Sequence, residues 1–65
     1  MKMTINGEPH DLDAATVTEA LNALGMTDAR IATALNGTFV PAGSRDTQKL
    51  APGDALEIVA PMQGG

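Results

Sequence analysis

Apolar and polar residues alternate at the start of the chain. Met1, Met3 and Ile5 take one face and Lys2 and Thr4 the other, the period of a half-buried strand over residues 1–5. Asn6-Gly7 follows. An Asn-Gly pair between strand-like runs favours a type I′ hairpin, because both positions accept positive φ. The return strand is predicted at residues 8–12. A two-residue turn sets Ile5 opposite Glu8, Met3 opposite His10 and Met1 near Leu12. Pro9 has no N–H to give to a ladder, so its strand belongs at a sheet edge. His10 then lies towards the apolar side near that edge. It reads as structural or solvated, with no carboxylate, cysteine or second histidine set to work with it.

The period then changes. Val17, Ala20, Leu21 and Leu24 recur at i, i+3, i+4 and i+7, one face of a helix over residues 17–24. Thr16 and Glu19 make a capping box at its start. Gly25 supplies the residue that stops it, and Met26 is placed to touch Leu21 in a Schellman-type ending. The stripe reads as core. Residues 27–30 are a connection.

Residues 31–35 form a third strand, Asn36-Gly37 a second hairpin turn, and residues 38–40 a short fourth strand ended by Pro41. The turn sorts the faces. Leu35, Thr38 and Val40 share one side; Ala32, Ala34 and Phe39 share the other. With Leu35 and Val40 under the helix, Phe39 and the two alanines lie on the uncovered face, a candidate docking point for a partner. Residues 42–49 are polar and irregular, a loop or a single helical turn, and Leu50 is directed into the core. Ala51-Pro52-Gly53-Asp54 fits a type II turn. The last strand is residues 55–60, with Leu56 and Ile58 on the core side and Glu57 and Val59 on the wet side. The chain leaves the sheet at Pro61.

The element order is β-β-α-β-β-β, without an internal repeat. One helix covers one face of a sheet. The expected fold is therefore α+β, a mixed sheet of four or five strands holding one main helix. Its first and last strands lie parallel and adjacent in the middle. Residues 1–61 make the domain and residues 62–65 a flexible tail.

Composition narrows the function. With 65 residues there is one domain, and a chain of that size buries only about 60% of its unfolded surface. There is no cysteine and one histidine, which excludes a disulfide and a thiolate or single-handed zinc site. A net charge of −4 argues against nucleic acid and against an anionic membrane as partners. No apolar run approaches the ~20 residues of a span, and residues 1–4 carry no signal-peptide core. A cytoplasmic protein is expected. The sequence contains no nucleophile–base set, no metal-protease motif and no phosphate loop. Asp11 and Asp13 bracket a turn and read as solvated acids. So small a domain also has little room for a substrate pocket. The chain reads as no enzyme, with no cofactor and no metal of its own.

What remains is the ending Met62-Gln63-Gly64-Gly65. Two glycines without Cβ atoms make a thin terminus, open around its α-carboxylate and able to thread a narrow tunnel. A carboxylate is a poor electrophile. Activation as an acyl-adenylate, made from ATP by a partner, provides a phosphate-type leaving group. Attack by sulfur and loss of the donor then leave a C-terminal thiocarboxylate. The partner supplies catalysis; this chain supplies recognition and a reachable end.

The element order, Ala34-Leu35-Asn36-Gly37 with Val40-Pro41, Leu50 with Gly53-Asp54 and Glu57-Ile58-Val59, and the closing Gly64-Gly65 resemble the ThiS family of sulfur carriers in thiamine biosynthesis. The resemblance covers almost the whole chain. It implies a β-grasp, ubiquitin-like fold. It implies adenylation of Gly65 by a ThiF-type enzyme with ATP, with Gly64, Gln63 and Met62 as the recognised tail. A sulfurtransferase or cysteine desulfurase then supplies sulfur, and a ThiG-type thiazole synthase uses it to build the thiazole ring. Two features depart from the family pattern. Ala42 and Gly43 follow Val40-Pro41 where an arginine is common, with Arg45 slightly later, and the loop lacks an aromatic residue. The alternatives are the small subunit of molybdopterin synthase, which shares the fold and the Gly-Gly thiocarboxylate, a ubiquitin-like modifier joined to lysines, and a bare structural domain with an accidental Gly-Gly end.

Overall fold

Both Asn-Gly pairs make the tight turns predicted for them. The computed structural model describes residues 1–26 and 30–60. In it Asn6 and Gly7 have φ of 51° and 83°, and Asn36 and Gly37 have 52° and 83°. Positive φ at both positions matches the twist of the flanking strands. β1 (Lys2–Ile5) pairs antiparallel with β2 (Glu8–Asp11), placing Ile5 opposite Glu8 and Met3 opposite His10. The Leu12 N–H adds one more rung, to Met1 O at 2.9 Å.

The helix α1 runs Val17–Leu24. Thr16 Oγ1 accepts from the Glu19 N–H at 3.2 Å, and the Glu19 carboxylate accepts from the Ala15 N–H at 3.0 Å. Gly25 ends the helix at φ 74°. Its N–H bonds Asn22 O at 3.1 Å, and the Met26 N–H bonds Leu21 O at 2.8 Å, the bond pair of a Schellman ending. The first two helical N–H groups are satisfied from another part of the chain. Val17 donates to Gln48 O at 3.1 Å and Thr18 to Arg45 O at 3.2 Å. The N-terminus of α1 is thereby seated on the segment that follows β4.

β3 (Ala32–Leu35) and β4 (Thr38–Val40) form the second hairpin, with Ala34 opposite Phe39. A 3-10 turn at Ala42–Ser44 follows. This segment reads as polar from the sequence, but Arg45 is buried, with 8% of its surface exposed. Its Nε donates to Thr33 Oγ1 at 3.2 Å and its Nη2 to Ile31 O. Thr33 in turn donates to Val40 O at 3.0 Å. The guanidinium therefore ties the post-β4 segment to the helix side of β3. Leu50 is only half-buried, packed against the core rather than inside it.

β5 (Ala55–Val59) follows the predicted turn, in which Gly53 has φ 87°. The sheet order is β2-β1-β5-β3-β4, with β5 parallel to β1 and antiparallel to β3. Pro9 lies on one edge strand and the three-residue β4 forms the other. A proline and a very short strand are two ways of blunting a sheet edge. The core joins Met3 and Ile5 of β1, Val17, Ala20 and Leu21 of α1, Leu35 and Val40 of the second hairpin, and Leu56 and Ile58 of β5. Leu24 packs against it, half-buried. The expected architecture is thus present, one helix on one face of a five-stranded mixed sheet. Residues 27–29 of the predicted connection lie outside the described residues, as does the boundary between domain and tail at residues 61–65.

Candidate functional site

The helix leaves the other face of the sheet uncovered. Along β3, β4 and β5 that face presents Ala32, Ala34, Phe39, Glu57 and Val59. Pairing sets Ala34 between Phe39 and Glu57, and Ala32 beside Val59. Phe39 and Val59 are each 64% exposed. Small alanines between two large apolar side chains create a depression. These five residues and Thr33 line a shallow cavity of about 230 Å³. The predicted docking residues Phe39, Ala34 and Ala32 are brought together as expected. Val59 and Glu57 complete the patch. Strand alternation puts them on this face, but only the sheet order sets Val59 beside Ala32.

β5 is the central strand and also the one that leads to the tail. Two asparagine side chains hold its ends. At the start, Asn36 Oδ1 accepts from the Ala55 N–H at 2.9 Å, and Asn36 Nδ2 donates to Asp54 Oδ1 at 3.0 Å. Near the end, Asn6 Oδ1 accepts from the Ile58 N–H at 2.8 Å, and Asn6 Nδ2 donates to Ile58 O at 3.2 Å. These are the same asparagines that make the hairpin turns. Sequence reasoning assigned them turn chemistry and missed this second use. Gly65, Gly64, Gln63 and Met62 lie outside the described residues. The last described position, Ala60, directly follows Val59 of the patch.

Among the described residues, no group of three or more His, Cys, Asp or Glu is placed to hold a metal ion. Nor is any helix there long and apolar enough to cross a membrane. Within this part of the chain, the uncovered face presents an exposed apolar depression.

A mixed sheet in this order, grasping one helix, is the β-grasp fold of ubiquitin-like proteins. The ThiS family model matches residues 3–65. The sulfur carrier protein ThiS of Thermus thermophilus is 36% identical over 61 residues, covering 94% of this chain and 95% of that protein. A thiazole synthase of Paramagnetospirillum magneticum is 39% identical over 66 residues, all of this chain but 20% of that protein. A thiazole synthase of Magnetococcus marinus is 35% identical, again over 20% of its length. This chain therefore spans about a fifth of the two synthases and nearly all of the carrier. The crystal structure of the thiamine biosynthesis protein ThiS from Geobacter metallireducens superposes with a TM-score of 0.83 at 36% identity over the whole of both chains. The chain belongs to the ThiS family.

Proposed function

We propose that this chain is a sulfur carrier for thiazole formation in thiamine biosynthesis, with the Gly65 carboxylate as the group that carries the sulfur. The observation that carries the reading is the family match, which runs through the fold and on to Gly65. A ThiF-type enzyme activates the terminus. A carboxylate oxygen attacks the α-phosphate of ATP, pyrophosphate leaves, and an acyl-adenylate forms. The terminal sulfur of a persulfide on a sulfurtransferase or cysteine desulfurase then attacks the carbonyl carbon and expels AMP, giving an acyl disulfide. A second thiol attacks the donor's sulfur, the S–S bond breaks, the thiocarboxylate leaves and the donor remains in a disulfide with that thiol. A ThiG-type thiazole synthase takes the sulfur, in keeping with the two thiazole synthases that contain a similar stretch. The chain itself performs no chemistry in this scheme and works in the cytoplasm.

The face built from Ala32, Ala34, Phe39 and Val59 serves as the surface by which the partners hold the domain while the tail reaches their active sites. An exposed apolar patch next to a recognition tail suits this task. The thiamine reading is preferred to the molybdopterin one because the relatives that match nearly end to end are thiamine proteins.

The test is intact mass after incubation with activating enzyme, ATP and sulfur donor. One carboxylate oxygen is expected to be replaced by sulfur. Deleting Gly65 leaves Gly64 one residue short; adding a residue moves the carboxylate past the point of activation. Both changes are expected to abolish the mass shift while circular dichroism stays that of the parent. Conversion of the Gly65-deleted chain, or no conversion of the parent with a competent partner, would overturn the reading. A product joined to lysine instead would indicate a protein modifier.

A further inference from the structure

We propose that Asn6 is a positioning residue for the chemistry at Gly65, because its side chain anchors the end of β5 from which the tail departs. This inference rests on the function proposed above. β1 and β5 form a parallel ladder. The Thr4 N–H donates to Asp54 O at 3.0 Å, and the Asn6 N–H donates to Leu56 O at 2.9 Å. The next rung of a parallel pair needs an acceptor for the Ile58 N–H and a donor for Ile58 O. The main chain cannot provide them, because it has turned at Asn6-Gly7 into the hairpin. The Asn6 amide provides both, at 2.8 and 3.2 Å. One side chain thus stands in for a missing strand.

That contact decides where the sheet ends. On its other side β5 is held by β3 as far as the Ala32–Val59 pair. Without Asn6, the polar groups of Ile58 that face β1 have no partner in the sheet, and the strand is held along one side only. Each residue that then leaves the sheet adds about 3.3–3.6 Å between the last anchored residue and Gly65. Release of residues 58 and 59, the last two of β5, adds roughly 7 Å. It also frees Val59, a member of the docking patch. Asn6 therefore sets the length of chain presented to a partner and its origin relative to the docking surface.

Asn36 supplies a matched control. It has the same residue type, the same turn and the same left-handed backbone, and it bonds the same strand, but at Ala55. Asn6→Gly and Asn36→Gly both keep a residue that accepts positive φ and remove only the amide. Amide hydrogen exchange in the isolated chain tests the anchor without any partner. Asn6→Gly is expected to speed exchange of the Ile58 amide at least tenfold, and Asn36→Gly to leave it within about twofold. With a ThiF-type enzyme, chain-dependent ATP–pyrophosphate exchange reads positioning. Asn6→Gly is expected to raise KM for the chain by roughly two- to fivefold, as the effective concentration of the terminus falls, with kcat within about twofold.

The decisive arm shortens the tail. Deleting Met62 is expected to lower kcat/KM at least tenfold in the parent and in Asn36→Gly. It is expected to cost only a few-fold in Asn6→Gly, where released strand restores the lost reach. A purely structural role predicts the same cost in all three backgrounds. An equal cost, or unchanged Ile58 exchange in Asn6→Gly, overturns the proposal. Should Asn6→Gly prove unfolded by circular dichroism, Asn6→Asp, which keeps the acceptor for the Ile58 N–H and loses only the donor to Ile58 O, is judged by the Met62-deletion arm alone. A parent chain that is not activated refutes the proposed function instead, while the exchange arm still judges the anchor.

Discussion

Arg45 offers the sharpest test of how this domain is held together. Arg45 lies in a segment that reads from the sequence as polar and irregular. Burial to 8% exposure and bonds to Ile31 O and Thr33 Oγ1 make it a structural cation instead. Arg45→Met keeps most of the stem and removes the guanidinium. Ile31 O then loses a charged donor inside the protein, at a cost of about 1–3 kcal/mol. Thr33 Oγ1 keeps its own bond to Val40 O, so its loss is nearer 0.5–1.5 kcal/mol by the same scale, about that of one ordinary hydrogen bond. Relief of the buried charge's desolvation returns part of this. The net loss is about 2 kcal/mol. A 65-residue domain has a total stability of roughly 3–10 kcal/mol, so the effect is large. With a urea m-value of about 1 kcal/mol/M, the unfolding midpoint should fall by about 2 M. The melting temperature should drop by roughly 8–16 °C. Arg45→Lys should recover only part of this, because an ammonium lacks the planar fork that reaches two acceptors at once. Urea unfolding followed by circular dichroism measures each variant. A midpoint within about 0.3 M of the parent, together with weakened activation by a ThiF-type enzyme, would refute the reasoning and return Arg45 to the surface.

Other expectations follow from the same structure. Leu21→Ala, at a buried position on α1, should cost about 2–5 kcal/mol in urea unfolding. Leu24→Ala, half-buried, should cost less than half as much, and equal costs would contradict the helix orientation. Phe39→Ala should weaken binding to the activating enzyme or the synthase, measured by calorimetry, while stability stays within about 0.5 kcal/mol. A large stability loss with intact binding would make Phe39 a core residue. Thr16→Ala should cost about 1–2 kcal/mol through the lost cap, and Thr16→Ser should restore most of it.

Much of the fold was legible in the chain because its signals are local. Positive φ at Asn6-Gly7 and Asn36-Gly37 is a property of those residue pairs, and a two-residue turn leaves one register for each hairpin. The limits of α1 were set by Thr16 and Gly25, whose effects reach no further than a turn of helix. The candidate site was partly legible for the same reason. Alternation from a known turn placed Phe39, Ala34 and Ala32 on one face. The chemistry assigned to Gly65 came from its residue type and its neighbours, not from its position in the fold.

Arg45 and the two asparagines mark where local reasoning stopped. The burial of Arg45 depends on Thr33 and Ile31, which lie 12 and 14 residues away. The Asn6 amide meets Ile58 across 52 residues. Neither contact has a signature in residue spacing, since a polar side chain in a loop looks the same whether water or a distant backbone satisfies it. The sequence by itself determined the turns, the helix limits and the inward face of each strand, all set by steric and hydrogen-bonding preferences within a few residues. The tertiary structure alone decided that Val59 joins Phe39 across β3, that a loop arginine braces the sheet, and that a turn asparagine bonds Ile58 near the end of β5. Those outcomes arise when elements distant in the chain meet and their remaining backbone groups must find partners.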